Sequence, residues 1–374
     1  MNKKTDFEHA SVRTFCFENG TEVAEYQMIV SVTSPTLTFA EQVAAVQDAL
    51  ECTRREIAPR ANVVLKRYFL SDATNQVDLL KQMEGGAEPY ALSFVQQPPL
   101  NGTKIALWAY LATGMQMSRR PSGLIEARHG AYRHLWSTPE RSEGPDAEQQ
   151  TLHLFDDYIK KLAEEGCTLA DNCMRTWLFV NDIDHYYAGV VKARNDIFAT
   201  QNLTTQTHFL PSTGIEGGRG FVQMDAYAIA GIQREQIGYL HAPTHLNRTS
   251  DYGVSFERGA YIDLGDRRQV LVSGTASINN RGEIVYPGDV AAQCHRMWEN
   301  VEALLAESGC TYEDAAQMIV YLRDPADYAV VRQLFEKRFP NHPWLIVLAS
   351  VCRPGWLIEM ETMAIKSHHT PWLK

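Results

Sequence analysis

A repeated segment constrains the fold of this chain more than any other feature of its 374 residues. Residues 165–198 read EGCTLADNCMRTWLFVNDIDHYYAGVVKARNDIF, and residues 307–339 read ESGCTYEDAAQMIVYLRDPADYAVVRQLFEKRF. Both segments contain Gly-Cys-Thr, an acidic residue, an apolar stretch that ends in Asp, and a Tyr-bearing stretch that ends in Phe. So many shared landmarks in one order predict an internal duplication.

An amphipathic helix is predicted before each copy, because apolar residues recur there with the 3.6-residue period. Asp289 is the expected N-cap of the last of these helices, and Gly309 and Gly166 are the expected stops in the last and middle copies. A weaker third copy opens the chain, with a strand at 63–70 that ends near Asp72 and a closing strand at 104–112. The apolar stripes comprise Val290, Cys294, Met297, Val301, Leu304 and Leu305 in the last copy, Leu152, Phe155, Ile159 and Leu162 in the middle copy, and Phe39, Val43, Val46 and Leu50 in the first.

Each copy therefore reads as a strand hairpin, a helix, a strand, a second helix and a closing strand. This order predicts an α+β unit with a mixed sheet and helices on one face. Such a sheet leaves its other face bare, and three units can bury these faces against one another. We predict units at residues 1–115, 116–235 and 236–374, arranged as an intrachain pseudo-trimer in a monomeric protein.

The charge balance indicates which classes of partner to expect. The formal net charge is -10, and no cluster of Lys and Arg stands out. Nucleic acids and anionic membranes both reward a basic stripe, so neither is expected as the main partner. A small anionic substrate would have to be held by a local group of cations.

Cysteine usage and the N-terminal residues favour a cytoplasmic location. The seven Cys are scattered and include no Cys-x-x-Cys pair, which argues against a disulfide framework. The first residues are polar, and no apolar run is long enough to span a membrane. Neither a nucleotide loop nor a metal motif is found, since Pro243 argues against a helix between His241 and His245, so no cofactor or metal is expected.

The last unit resembles the RidA (YjgF) family in residues 272–293, 321–331 and 358–365. RidA proteins form trimers with ligand clefts between subunits, so the resemblance implies three fused RidA/YjgF-like (chorismate mutase-like) units that reproduce such a trimer. The imine deaminases of that family place an Arg near the start of the penultimate strand. Residues 342–348 read HPWLIVL and contain no Arg, which argues against deaminase chemistry in this unit.

A closer resemblance, over most of residues 90–366, is to the chorismatase family, which is itself built on RidA-like folds. It implies a cofactor-free hydrolase or lyase that converts chorismate to pyruvate and a hydroxybenzoate or dihydroxycyclohexadiene carboxylate. The segments that carry it are QPPL at 97–100, RTW at 175–177, PSTGI at 211–215, GTASI at 274–278, VCRP at 351–354 and IEME at 358–361.

The same resemblance implies roles for individual residues. The catalytic Glu of the family falls on Glu359, and the Cys of its hydroxybenzoate-forming members falls on Cys352, where it would steer the ring intermediate towards an aromatic product. Gly274 and Ala276 are implied as substrate contacts. Residues 279–287 depart from the usual Gly-His-bearing stretch of the family, which leaves the identity of the product open.

The residues themselves point to the same place. Pro354-Gly355 suits the centre of a type II turn. If the flanking strands pair as a hairpin, Cys352 lies diagonally opposite Glu359 at roughly 7–8 Å between Cα atoms. Glu361 shares the face of Glu359, because side chains alternate along a strand. We therefore expect the thiol and both carboxyls to face one cleft.

Two carboxylates on one buried face cannot both ionise cheaply, so one of them is expected to have a raised pKa. A protonated acid is what cleavage of an enol ether requires, and we assign this role to Glu359. Gln223 in the middle unit and Leu107 in the first are the predicted equivalents of Glu359, so we expect one working site per chain. The alternative is a pair of surface glutamates on an edge strand.

Cations must hold a dianion such as chorismate. Arg353 beside the turn and Arg219 in the segment GGRG are the candidates for gripping its carboxylates. Arg175 could serve the substrate or a structural ion pair. Two other functions stay open: a RidA-like enamine or imine deaminase that uses another cleft, with Arg219 as its carboxylate ligand, and a non-catalytic protein that binds a small acid.

Overall fold

A computed structural model describes residues 2–86, 89–138 and 142–370. The first sheet contains β1 (Asn2–Asp6), β2 (Ala10–Phe17), β3 (Glu25–Val32), β4 (Asn62–Leu70), β5 (Ala91–Gln96) and β6 (Ile105–Ala112). The second contains β7 (Gln116–Arg119), β8 (Ile125–His129), β9 (Tyr132–Ser137), β10 (Cys173–Val180), β11 (Ser212–Glu216) and β12 (Val222–Ala230). The third contains β13 (Ile237–Leu240), β14 (Gly259–Asp263), β15 (Arg267–Ala276), β16 (Ala315–Leu322), β17 (Trp344–Leu348) and β18 (Ile358–Ser367).

The three sheets share one topology. The strand orders are β1-β2-β3-β6-β4-β5, β7-β8-β9-β12-β10-β11 and β13-β14-β15-β18-β16-β17. In each unit an antiparallel three-stranded meander adds to the closing strand, and a parallel pair completes the sheet. The predicted α+β class and the triplication are therefore confirmed.

Helices cover one face of each sheet. They are α1 (Phe39–Ile57), α2 (Ala73–Glu84), α3 (Ala147–Glu164), α4 (Leu169–Asn172), α5 (Ile183–Thr200), α6 (Val290–Glu307) and α7 (Tyr328–Arg338), with 3-10 turns at Arg234–Gln236, Thr249–Tyr252, Tyr312–Asp314 and Pro325–Asp327. Asp289 caps α6 as predicted, since its side chain accepts a hydrogen bond from the N–H of Ala292. Gly166 and Gly309 have the positive φ values of +72° and +78° that allow the chain to leave α3 and α6. None of the described helices is long and apolar enough to cross a membrane.

The bare faces of the sheets pack against one another, as expected for a pseudo-trimer. One hydrophobic core contains buried residues of all three units, among them Trp108, Trp177 and Ile319. Arg67 of the first unit pairs with Asp225 of the second at 2.7 Å, and both side chains are buried. Buried ions of this kind are tolerated only when they are paired, and this pair joins the first and second units.

The closing strands β6, β12 and β18 can be aligned with one another. Each of them pairs with a neighbouring strand (β4, β10 or β16), and each of these pairings contains a register shift at the corresponding place. The shift lies between Val63 and Leu65, between Cys173 and Arg175, and between Ala315 and Gln317. Counted from this shift, Glu359 corresponds to Gln223, as predicted, and to Ala106. The prediction of Leu107 is wrong by one residue, which matters because neighbouring side chains lie on opposite faces. Leu107 packs in the cluster that α1 and α2 cover.

The predicted hairpin around Pro354-Gly355 is also wrong, although the turn itself is present. Gly355 has a φ of +96°, and the N–H of Trp356 donates to the carbonyl of Arg353 at 3.3 Å. However, β17 pairs in parallel with β16, and β18 lies between β15 and β16. The connection from β17 to β18 must therefore cross over β16, and no ladder forms across the turn.

Candidate active site

A cavity lies where the second and third units meet. The second unit contributes Tyr187 and Arg194 from α5 and residues 212–214 from β11. The third unit contributes residues of β15, the turn after Cys352, and Glu359 from β18. The volume of the cavity is about 40 Å³. Of the seven site residues predicted from the sequence, the structure brings together Glu359, Cys352, Arg353, Gly274 and Ala276 around this space.

Glu359 is the acid that faces the cavity. It pairs with Ala276 across the β15–β18 ladder, and its side chain is buried, with 5% of the residue exposed. Burial, and next the negative charge of Glu361, raise the pKa of Glu359 to about 8, although Arg258 and Arg175 act in the opposite direction. The raised pKa expected for one of the two carboxyls thus belongs to Glu359, which holds its proton at neutral pH.

A bulge in β15 makes room for this carboxyl. The register of β15 against β18 shifts between Val272 and Thr275, which is a β-bulge at Gly274. A Cβ atom at Gly274 would lie 2.1 Å from Oε1 of Glu359 and 3.2 Å from Cγ2 of Thr213. Only glycine therefore lets the carboxyl occupy this position.

The thiol of Cys352 reaches the cavity from the turn rather than from a strand. The preceding residues are held against β11. The N–H of Glu216 donates to the carbonyl of Ser350, the N–H of Ser350 donates to the side-chain carboxylate of Glu216, and Val351 forms a β-bridge with Ile215. Burial and the nearby Glu359 raise the pKa of Cys352 to about 12, despite a hydrogen bond with Tyr187. Cys352 is consequently a neutral thiol at neutral pH, and not a thiolate nucleophile.

Glu361 shares the face of Glu359 but does not line the cavity. Its Oε2 accepts a hydrogen bond from Arg175 at 3.0 Å, and its Oε1 accepts one from Nε1 of Trp177 at 2.9 Å. Both charged side chains are buried. The expectation that Glu361 faces the same space as Glu359 is therefore wrong, because the carboxylate is committed to the structural ion pair anticipated for Arg175.

Three arginines line the cavity, and only one of them was expected. Arg353 stacks on Trp356, with Cζ 5.2 Å from the ring centroid. Arg258 is buried and donates to the backbone and side-chain oxygens of Asn247 at 3.0–3.2 Å. Arg194 is 1% exposed, and its Nε and Nη2 have no hydrogen-bond partner among the residues that the structure describes. Such a buried, unsatisfied guanidinium is a ready ligand for a carboxylate.

Of the two arginines that were not predicted, Arg194 and Arg258, only the first is indicated by the sequence pattern. Arg194 falls on the apolar face of α5, between Val190 and Ile197, where a charge is out of place. Arg258 precedes β14 and gives no such signal. Arg219, by contrast, lies in the loop between β11 and β12 and is not among the residues that line this cavity. Its predicted role as a ligand for the substrate in this cleft is therefore wrong.

A larger cavity of about 440 Å³ adjoins the first and shares Phe256 and Arg258 with it. Its lining includes His241, whose Nδ1 lies 3.5 Å from Oε2 of Glu257. Within the described part of the chain, no group of three or more His, Cys, Asp or Glu side chains is arranged to hold a metal ion. The loop that carries Phe256 thus separates two spaces at the contact of the second and third units.

Comparison with known proteins identifies a family and relatives that match part of the chain. The endoribonuclease L-PSP family model matches residues 258–366. The 3-aminoacrylate deaminase RutC of Acinetobacter baylyi is 30% identical over 97 residues, which are 25% of this chain and 77% of that protein. A RutC family protein of Pyrococcus abyssi is 35% identical over 100 residues, which are 26% of this chain and 78% of that protein.

A solved structure is similar to most of the chain. A chorismatase crystal structure superposes with a TM-score of 0.64 at 17% sequence identity, and the match covers 81% of this chain and 92% of that chain. At this identity the similarity shows a shared fold, with its three fused units. The chain belongs to the RutC family, and it carries the RidA/YjgF-like fold of that family in the three-unit form seen in chorismatase.

Proposed function

We propose that this protein cleaves the enolpyruvyl ether of chorismate by general acid catalysis. The products would be pyruvate and a hydroxybenzoate or dihydroxycyclohexadiene carboxylate. The observation that carries the proposal is Glu359, a buried carboxyl with a pKa raised to about 8 in a cavity lined by arginines. The reaction needs no cofactor, and its expected location is the cytoplasm.

The chemistry follows from the protonation state of Glu359. Its proton is transferred to the terminal methylene carbon of the enolpyruvyl group, and the π electrons of the C=C bond form the new C–H bond. The ether carbon becomes an oxocarbenium-like cation, which the carboxylate left behind stabilises. Water adds to that carbon and returns a proton to Glu359, and the hemiketal breaks into pyruvate and the dihydroxycyclohexadiene carboxylate. Loss of one water molecule from that ring would give the hydroxybenzoate. A positioned general acid contributes about 10²–10⁴-fold.

Arginines account for the recognition of a dianion. Arg194 and Arg258 approach the cavity from different units, and Arg353 approaches from the turn. Two carboxylates at different ends of one substrate can each meet a guanidinium here, which supports chorismate over a neutral enol ether. The substrate contacts inferred for Gly274 and Ala276 remain part of this proposal.

Binding must enlarge the cavity, because 40 Å³ is far below the roughly 300–1,000 Å³ of sites for drug-sized ligands. The adjoining space of about 440 Å³ is separated from it by Phe256 and Arg258. Displacement of the Phe256 ring would join the two spaces. The substrate would then occupy the combined volume, with its enolpyruvyl group towards Glu359.

Replacement of Arg194 by Gln is expected to raise the KM for chorismate by about 10–100-fold, because a charge-assisted hydrogen bond to a carboxylate is lost. The kcat is expected to change less, since Arg194 binds the substrate and Glu359 supplies the proton. Steady-state kinetics of pyruvate release measure both constants. Arg55→Gln, an exposed arginine on α1, is the control, and an unchanged KM in Arg194→Gln would remove Arg194 from the binding site.

Replacement of Cys352 by Ala is expected to change the ratio of ring products more than the rate of chorismate consumption. A neutral thiol next to Glu359 suits the steering of a ring intermediate and not the cleavage step. Chromatography of the products from a complete turnover of chorismate checks this. A product ratio identical to that of the wild type would contradict the assignment, whatever the rate.

Assays with two substrates distinguish the cleavage of chorismate from a deaminase activity, which is the activity that the name of the Acinetobacter relative states. Incubation with chorismate is expected to release pyruvate, and incubation with an unstable enamine such as 2-aminoacrylate is expected to leave its rate of ammonia release unchanged. Accelerated ammonia release without cleavage of chorismate would replace the proposal by a deaminase. Activity on neither substrate, with chorismate still bound, would indicate a binding protein.

A further inference from the structure

The bulge in β15 lies directly opposite Glu361 on β18. The ladder is regular on either side of it, where the flanking pairs are Val272 with Thr362 and Thr275 with Met360. Two residues, Ser273 and Gly274, therefore face the single residue Glu361. A bulge of this kind disrupts the ladder locally, so the groups around it need other hydrogen-bond partners.

Arg175 of the second unit joins Glu361 to both residues of the bulge. Its Nη2 donates to Oε2 of Glu361 at 3.0 Å and also to Oγ1 of Thr213, while its Nη1 donates to Oγ of Ser273 at 3.2 Å. Oγ1 of Thr213 in turn accepts a hydrogen bond from the N–H of Gly274 at 3.0 Å. The ion pair is thus connected to Ser273 directly and to the backbone of Gly274 through one hydroxyl.

The hydroxyl of Ser273 has no bonding capacity left. Besides the bond from Arg175, it accepts one from the N–H of Ser212 at 2.9 Å and donates to the carbonyl of Glu257 at 2.6 Å. A serine hydroxyl has one proton and two lone pairs, and here each of them is used. Ser273, Arg175 and Glu361 are buried, so a broken bond would leave an unsatisfied group that costs free energy. The network therefore holds the bulge in one shape.

The carboxyl of Glu359 depends on this network at two points. The backbone of Gly274 lies so close to it that a Cβ atom there would be 2.1 Å from Oε1 of Glu359. Glu361 lies two residues further along β18 on the same face, roughly 7 Å away between Cα atoms. The network thus determines where the acid lies and how much negative charge is near it.

The charges around Glu359 come from several elements. Glu361 is the negative one, and after burial it is the largest cause of the raised pKa of Glu359. Arg258 and Arg175 act in the opposite direction, each with a smaller effect than Glu361. The other titratable or charged groups near the carboxyl are Tyr321 on β16, Cys352 and Arg353 in the turn, and Tyr187 and Arg194 on α5.

We propose that Arg175 and Glu361 act as a positioning pair for the acid of the active site: they fix the bulge that seats Glu359 and keep a negative charge on the same face of β18. Neither residue lines the cavity, so both act through Glu359 and not through the substrate. The inference rests on the proposed role of Glu359 as proton donor. It gives this buried ion pair a part in catalysis as well as in the contact between units.

Glu361→Gln removes the negative charge and retains Arg175 with its bonds to the bulge. The midpoint for ionisation of Glu359 is expected to fall from about 8 by about one pH unit, because a like charge is lost. A general acid works only while it is protonated, so pyruvate release is expected to be lost at lower pH than in the wild type. The rate is expected to be about fivefold below that of the wild type at pH 8 and nearly equal to it at pH 6.

The double variant Arg175→Gln/Glu361→Gln distinguishes a positioning pair from a purely structural one. It leaves no unpaired buried charge, so a pair that only stabilised the fold would be replaced without loss. We expect instead that the midpoint of Glu359 still falls, since Glu361 has the larger effect of the two charges. Because the bulge is no longer held, pyruvate release is also expected to fall about tenfold or more at every pH.

Infrared difference spectra against Glu359→Gln in the same background give the midpoint without any substrate. A protein that does not cleave chorismate therefore still tests the pair, and the two failures are distinguishable. Glu25→Gln is the matched control, because Glu25 forms a buried ion pair with Arg267 and does not line the cavity; its loss is expected to leave the midpoint of Glu359 unchanged. An unchanged midpoint in the double variant or in a folded Glu361→Gln, or wild-type turnover at pH 8 in the double variant, would overturn the proposal.

Discussion

Glu359→Gln is expected to lower the rate of pyruvate release from chorismate by about 10²–10⁴-fold, which is the usual contribution of a general acid. Glutamine has nearly the same shape as the protonated glutamic acid but cannot supply a proton. The pKa of Glu359 is raised to about 8, so the wild-type side chain is already neutral at pH 7 and the substitution leaves the charge of the cavity unchanged. Chorismate affinity is therefore expected to stay close to that of the wild type.

Single-turnover release of pyruvate and equilibrium binding of chorismate measure the two effects separately. Glu283→Gln, which alters an exposed carboxylate of the same unit, is the control. Wild-type turnover in Glu359→Gln would exclude Glu359 as the acid. A parallel loss of binding and turnover would instead indicate that the carboxyl holds the substrate.

Gly274→Ala is expected to abolish most of the activity although Glu359 itself is retained. The new methyl group would lie 2.1 Å from Oε1 of Glu359, which is far inside van der Waals contact. The carboxyl at the end of a flexible side chain has to move, and a displaced proton donor loses most of its effect. We expect a loss of kcat that approaches that of Glu359→Gln, with a moderate loss of stability of about 1–3 kcal/mol from overpacking.

A double-mutant cycle identifies the cause. Glu359→Ala removes the atoms that clash, so Gly274→Ala is expected to cost less free energy of unfolding in that background than in the wild type. Denaturant unfolding of the four proteins gives the coupling energy. Equal costs in both backgrounds, or full activity of Gly274→Ala, would show that the bulge does not position the acid.

The fold could be predicted because the same order of strands and helices recurs along the chain. Helix stops at Gly166 and Gly309 and the cap at Asp289 follow from local rules, which the structure confirms. The strand neighbours were harder to predict. The turn at Pro354-Gly355 suggested a hairpin, whereas β18 inserts between β15 and β16, and only tertiary packing decides such an order.

The site was predictable where its residues share one strand and less so where different units meet. Glu359 and its raised pKa follow from a strand that carries two carboxyls. Arg194 and Arg258 come from α5 and from the loop before β14, and no sequence spacing relates them to β18. The alternation of side chains along β18 correctly predicts that Glu361 shares the face of Glu359. Its partner Arg175 belongs to another unit, so the ion pair between them could not be predicted from the sequence of β18 alone.

The protonation state of Glu359 can be measured directly by infrared difference spectroscopy of the wild type against Glu359→Gln as a function of pH. A protonated carboxyl band is expected to persist through neutral pH and to disappear as the pH rises through about 8. A carboxylate band already present at pH 6 would show that the side chain is ionised, and the cleft would then lack the proton donor that cleavage of the enol ether requires.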